Sequence, residues 1–248
     1  MTNSATPIPR LAVIDAARGI ALIAMTVFHF AFDLELFGIA EPGTINEPQW
    51  KYFARAIASS FLFLAGFSLY LACCQGIDWS KWRWRMAKIL AAALVITIAT
   101  WFATPDMFIF FGILHMIAFA SIVGLVFVHL PWWITALAAV MVLVLRNTAR
   151  TELLDAPFWW WSGLSQYIPT SSDYVPVFPW LAPALIGIAA VKLCHQKGAL
   201  EKLSLIKADN IAGRGLQFLG RHSLVYYLLH QPIIIALLLS AVWLLNLN

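Results

Sequence analysis

Charge is what this sequence has least of. Its 16 Lys and Arg and 12 Asp and Glu amount to 11% of 248 residues, where a soluble domain carries roughly 25%. A soluble exterior needs that charge, and 62% of this chain is hydrophobic, so a water-soluble globule of this length is excluded. Intrinsic disorder is excluded as well, because it requires a chain poor in apolar residues. Cysteine is equally scarce. Cys73, Cys74 and Cys194 are an odd set without Cys-x-x-Cys spacing, which argues against a disulfide framework and against a metal site. Also missing are a Walker sequence, a dinucleotide glycine fingerprint, internal repeats, low-complexity segments and the period-2 alternation of a transmembrane barrel. No cleavable leader is expected, since the first apolar run continues over about 27 residues and carries Asp15, Arg18 and His29, unlike a short export segment.

What the chain has instead is grease and aromatics. Twelve Trp and seventeen Phe suit belts at a lipid–water boundary. Seven apolar stretches approach the roughly 20 residues needed to cross a bilayer: 11–37, 52–75, 87–104, 108–129, 131–146, 177–194 and 222–246. Lipid obliges each backbone to satisfy its own hydrogen bonds, so all should be helices. The expected fold is an all-α, polytopic transmembrane bundle of about seven spans, forming one domain over 1–248. With the N-terminus in the cytoplasm and the C-terminus outside, the inner side collects Arg10, Arg18, Lys81, Arg83, Arg85, Lys88, Lys192, Lys197, Lys202, Lys207, Arg214 and Arg221. The outer side keeps Lys51, Arg55, Arg146 and Arg150. That asymmetry follows the positive-inside rule. The net charge of +4 is therefore scattered as topology signals, and no patch suits nucleic acid. An inner loop, 195–221, is Lys-rich and amphipathic and should lie along the membrane surface.

Ionisable residues inside spans are costly, so each is a functional candidate. In the first span Asp15, Arg18, His29 and Asp33 fall within an arc of about 60° at 100° per residue, one polar stripe that must face protein or water. His29 and Asp33 are spaced i, i+4, which allows the carboxylate to hold the imidazole in one tautomer, as a general base or nucleophile requires. His115 and His230 also lie within spans, and Ser223, Tyr227 and His230 share a second polar face. Each has a structural alternative: an interhelical hydrogen bond for His115, or a His230–Gln231 pair serving a kink at Pro232. Lys81-Trp82-Arg83-Trp84-Arg85-Met86-Ala87-Lys88 is either an interfacial anchor or a dock for phosphates, with Arg forks gripping the anion. Trp159-Trp160-Trp161 is either a second anchor or a platform for a sugar face.

These residues carry a resemblance. Ile14-Asp15-Ala16-Ala17-Arg18-Gly19-Ile20-Ala21 followed by Phe28-His29-Phe30-Ala31-Phe32-Asp33-Leu34 resembles the opening of the bacterial relatives of heparan-alpha-glucosaminide N-acetyltransferase. Phe63-Leu64-Ala65-Gly66-Phe67-Ser68, Phe111-Gly112-Ile113-Leu114-His115, Asp173-Tyr174-Val175-Pro176-Val177-Phe178-Pro179-Trp180 and Leu219-Gly220-Arg221-His222-Ser223-Leu224 extend the likeness over nearly the whole chain. The spacing of Arg18 and His29 is also similar to that of the membrane acyltransferase-3 families. The resemblance implies an enzyme of the bacterial inner membrane that moves an acyl group, usually acetyl, from cytoplasmic acyl-CoA to a hydroxyl or amine, typically on a sugar or glycan. His29, with Arg18, would be the catalytic pair, assisted by Asp33, His115 and His230. Arg83, Arg85, Lys88 and Arg221 would hold acetyl-CoA as donor substrate, and Asp15, Asp173, Ser223 and Tyr227 would meet the acceptor. No metal is expected, and a homodimer is left open. The competing reading is a proton-coupled transporter in which Asp33, His29, His115 and His230 form a relay. A non-enzymatic receptor or assembly factor is a third.

Overall fold

The computed structural model describes residues 10–245, and among these the regular structure is helical. The helices are α1 (Ala12–Leu36), α2 (Pro48–Cys73), α3 (Trp79–Ala103), α4 (Ile113–Val128), α5 (Trp132–Thr148), α6 (Val177–Gln196), α7 (Ala199–Leu205), α8 (Ile211–Arg221) and α9 (Ser223–Leu245). Each of the seven apolar stretches overlaps one of them. Five, α1, α2, α3, α6 and α9, are long and apolar enough to cross a membrane. With 16 and 17 residues, α4 and α5 reach only about 24–26 Å at 1.5 Å per residue, short of a hydrocarbon core of roughly 30 Å.

Boundaries moved where caps overruled composition. The third helix begins at Trp79, well before the apolar run from 87, because the Asp78 carboxylate accepts the Lys81 amide at 3.1 Å and pairs with its ammonium at 2.9 Å. These bonds, with that of the Ser80 amide, hold Asp78 below the usual carboxylate range. The cation cluster is thus the first turns of a helix, not a loop.

The chain divides into two compact units, one comprising Leu62–Leu203 and the other Leu11–Phe61 with the chain from Ser204 onward. In the second unit α1 packs on α8 and α9. Helices gain little hydrophobic drive from each other in lipid, so small residues that bring backbones together matter most. A Cβ added to Gly220 would lie 1.8 Å from the Asp15 carbonyl oxygen, and one on Gly19 would lie 2.2 Å from that of Leu216. Leu22, Met25 and Ile57 fill the space beyond, against Phe28, Phe53 and Leu219. Within segment 195–221, expected along the membrane surface, α8 turns one face to protein and one outward. Gly213, Gln217 and Gly220 are buried, while Ile211, Arg214 and Phe218 are exposed.

In the unit Leu62–Leu203, α6 uses the same device: Cβ atoms on Gly66 and Gly187 would lie 2.0 Å from Ala184 O and 2.1 Å from Phe63 O. Lys192, counted above among the inner-side cations, is only 4% exposed. Its ammonium donates to the carbonyls of Phe127 and Leu130, where it meets the negative end of α4.

Candidate active site

The polar stripe of α1 faces protein. Asp15 and Asp33 are buried at 4% and 0% exposure and Arg18 and His29 are half-buried, while Ile20, Ile23, Val27 and Phe30 form the exposed face roughly 130° round the helix. At one end of the stripe, Asp15 bridges two guanidiniums, Arg18 at 3.2 Å and Arg221 at 3.5 Å. The close approach of α8 at Gly220 makes that bridge, since Arg18 also donates to the Gly220 carbonyl at 3.4 Å.

At the other end, two imidazoles meet. The rings of His29 on α1 and His230 on α9 have centroids 5.0 Å apart, inclined at 62°. Nδ1 of His230 lies 2.7 Å from the Tyr227 carbonyl oxygen. A carbonyl only accepts, so Nδ1 carries the hydrogen and Nε2 of the neutral ring keeps its lone pair. That Nε2 is buried without a hydrogen-bond partner. Such an atom is rare in native structures, and a catalytic role is one of the reasons for it.

Asp33 does not orient His29. Its carboxylate oxygens accept 2.8 and 2.9 Å hydrogen bonds from the Gln231 side-chain amide, and among the described residues no hydrogen bond joins it to His29. The i, i+4 spacing permitted the expected pair, but an amide donor from another helix satisfies both oxygens. Thr26 and Tyr226 complete the wall. Thr26 donates to the Leu22 carbonyl at 2.9 Å, which leaves the Tyr226 hydroxyl to donate to Thr26 at 2.8 Å. Neither was singled out from sequence. Their common signal is a polar atom on the inward face one turn from a candidate histidine.

The model of the heparan-alpha-glucosaminide N-acetyltransferase catalytic family matches residues 10–232, which holds both ends of this stripe and its partners on α8 and α9. The chain belongs to that family. It is accordingly an integral membrane protein of an acetyltransferase family. No curated protein and no solved structure matches it.

Two motifs of this family member turn out to be one joint. The Asp173 carboxylate accepts the Ile113 amide at 2.8 Å, His115 Nδ1 accepts the Gly112 amide at 3.2 Å, and the Val175 amide donates to the Phe111 carbonyl at 3.0 Å. The first two satisfy the amides of Ile113 and Gly112 at the start of α4, and the third ties the two segments together. With Nδ1 accepting, Nε2 of His115 is the protonated nitrogen, and it faces the Thr97 hydroxyl at 3.4 Å. Both ring nitrogens are therefore spent inside the unit Leu62–Leu203, and Asp173 is a helix cap. His115, expected in catalysis, and Asp173, expected at the acceptor, thus come together at the start of α4.

The remaining candidates are dispersed. Arg83 and Lys88 are exposed and Arg85 half-buried on the first turns of α3. Arg83 Nε donates to the Trp79 carbonyl at 3.3 Å, and the Lys88 ammonium sits 5.8 Å from the Trp84 ring centre. Arg221, expected among them, is engaged by Asp15 and by Gln217 at 3.2 Å. Ser223 opens α9 and Tyr227 lines the second polar face beside His230, ring centres 5.6 Å apart. In the aromatic run, Trp160 donates to the Asp155 carbonyl and Trp161 packs on Phe111 and Phe119, which leaves Phe158 and Trp159 outward.

The Asp33–Gln231 contact has a measurable consequence. Gln231→Leu strands a fully buried carboxylate and lowers stability by about 1–3 kcal/mol, whereas removing both partners in Asp33→Leu with Gln231→Leu restores most of it. Thermal unfolding of the purified single and double variants checks this.

Proposed function

We propose that the protein transfers an acyl group, acetyl in the first instance, from cytoplasmic acyl-CoA to a hydroxyl or amine of a sugar or glycan, in a bacterial inner membrane. The proposal includes the seven-span, N-in and C-out arrangement, with α4 and α5 as the short spans. The observation that carries it is the His29–His230 pair, two imidazoles side by side with one buried, unpartnered Nε2.

Chemically the pair divides the work. The acceptor's O–H or N–H gives its proton to an imidazole nitrogen as its lone pair attacks the thioester carbonyl carbon. The tetrahedral intermediate collapses, the C–S bond breaks, and the CoA thiolate leaves with a proton returned from the pair. An alternative route begins with attack by an imidazole nitrogen on the same carbon, giving an acyl-imidazole that the acceptor then resolves. In either route His29 is the residue nearest the reacting carbon, as the family motif implies, and His230 stores the proton. Arg18, held by Asp15, supplies fixed positive charge on the same face.

The donor needs cations, because its phosphates are polyanionic. Arg83, Arg85 and Lys88 are the candidates on α3, and Arg221 now reads as a brace for Asp15. Arg83→Glu with Arg85→Glu should weaken acetyl-CoA binding about tenfold or more through lost charge-assisted hydrogen bonds. Isothermal titration of detergent-purified protein checks this, and unchanged affinity moves the donor site elsewhere. The function itself is tested by acetyl-CoA turnover with amino and neutral sugars as acceptors. Acetyl-CoA binding with acceptor-dependent CoA release supports it. Absence of acetyl-CoA binding, together with proton-driven uptake of solute into proteoliposomes, would replace it with the carrier.

A further inference from the structure

Apart from the histidine pair, the fold holds a cleft of about 130 Å³ in the unit Leu62–Leu203. The C-terminal turn of α5 and the segment after it supply Arg146 and Arg150, the loop before α6 supplies Ser165, Tyr167 and Tyr174, and α6 supplies Trp180. The two arginines line the same cleft and bear the same charge, which favours an anion between them.

Arg150 is already committed. Its Nε donates to the Ser165 carbonyl at 2.9 Å and a terminal nitrogen donates to the Gln166 carbonyl at 2.7 Å. Arg146 makes no hydrogen bond and no ion pair among the described residues, although it is half-buried. Asp155, which lies near Arg150, is engaged through one carboxylate oxygen. Its Oδ1 accepts from the Ser165 hydroxyl at 2.6 Å and from the amides of Gln166 and Tyr167 at 2.7 and 3.1 Å. Those bonds hold its carboxyl below the usual carboxylate range, the Ser165 hydroxyl foremost.

The walls are built rather than loose. Trp160 donates to the Asp155 carbonyl at 2.8 Å, and the Tyr174 hydroxyl donates to the Trp160 carbonyl at 2.7 Å. Gly163 adopts φ +80°, and a Cβ there would lie 2.2 Å from the Phe178 carbonyl oxygen, so only glycine closes this turn. The result is a braced cup lined by one unspent guanidinium fork and three aromatic side chains.

We propose that this cleft binds an acidic sugar, the Arg146 fork taking its carboxylate or phosphate while the ring lies against Tyr167, Tyr174 and Trp180. A planar guanidinium offers two parallel N–H donors to an oxyanion. Aromatic faces flanked by hydrogen-bonding groups suit the apolar face and hydroxyl edge of a pyranose. The proposal stands whether or not the chain transfers acyl groups, because its readout is binding alone.

The test is isothermal titration of the full-length, detergent-purified protein with glucuronate, glucose 6-phosphate, glucose and inorganic phosphate. The acidic sugars are expected to bind about tenfold or more tighter than glucose, with affinity falling as salt rises. Arg146→Gln should lose about tenfold or more of that affinity and Arg146→Lys a smaller part, because lysine keeps the charge without the fork. Tyr167→Ala, on the exposed rim, should weaken the acidic sugars and leave inorganic phosphate unchanged. The idea is overturned if glucose binds as well as glucuronate, if inorganic phosphate binds as tightly as glucose 6-phosphate, or if Arg146→Gln changes nothing. It is also overturned if phosphatidylglycerol nanodiscs, but not phosphatidylcholine ones, abolish glucuronate binding, since the occupant is then a lipid phosphate. An unaltered elution profile for each variant separates a lost site from a lost fold.

Discussion

His29→Ala should reduce acyl transfer about 10²–10⁴-fold, the range typical for removing a positioned acid–base group. In the proposed mechanism the loss falls on kcat, with the imidazole serving the transition state rather than donor affinity. Acetyl-CoA binding should persist, since the candidate donor cations lie on α3 and the half-buried His29 ring carries none of the bonds that close the unit. His230→Ala should cost a comparable factor. His29 touches Phe28 and His230, so the two rings act as one device, and the double variant should be scarcely worse than either single. Labelled acetyl-CoA and single-turnover assays in nanodiscs supply the numbers. Additive losses would mean that the rings work separately. A His230→Ala enzyme with full activity would remove the proton-storing role altogether. Recovery of acetyl label on His29 after an acid quench would select the acyl-imidazole route.

The stripe that carries His29 was legible in the sequence, and its partners were hidden for a physical reason. The helical repeat alone places Asp15, Arg18, His29 and Asp33 on one face, and the cost of burying them forces that face inward. The opposite face, Ile20 to Phe30, is the exposed one. Local spacing could not say who answers each group. Asp33 finds Gln231, 198 residues further along the chain, instead of His29 four residues away. Arg221 reaches Asp15 because α8 closes on α1 to backbone distance at Gly220. His115 illustrates the other limit. As an intramembrane histidine it has the same sequence signature as His230, yet its ring is spent on the start of α4 while His230 keeps a free Nε2. Only the third dimension separates the two.

The glycine contact at the head of the stripe gives the largest expected effect on stability. Gly220→Ala adds a single methyl 1.8 Å from the Asp15 carbonyl oxygen. That oxygen belongs to helix backbone and cannot swing aside, so α8 must move away from α1. The move lengthens the Arg18 bond to the Gly220 carbonyl and the Arg221–Asp15 pair, 3.4 and 3.5 Å in the native fold, and loosens two guanidiniums around a buried carboxylate. A loss of about 3 kcal/mol is expected, at the upper end for overpacking. Gly215→Ala on the same helix is the control, because a Cβ there meets nothing within 4 Å. Helix propensity alone then applies, and this variant should be neutral or gain up to about 1 kcal/mol. The same chemical change five residues apart should therefore shift the melting temperature in opposite directions. Turnover should fall with Gly220→Ala even below its melting temperature, because Asp15 would no longer hold Arg18 on the face that carries His29. Equal melting temperatures for the two variants would mean that the α1–α8 crossing is looser than 1.8 Å implies, and the brace on Arg18 would lose its basis.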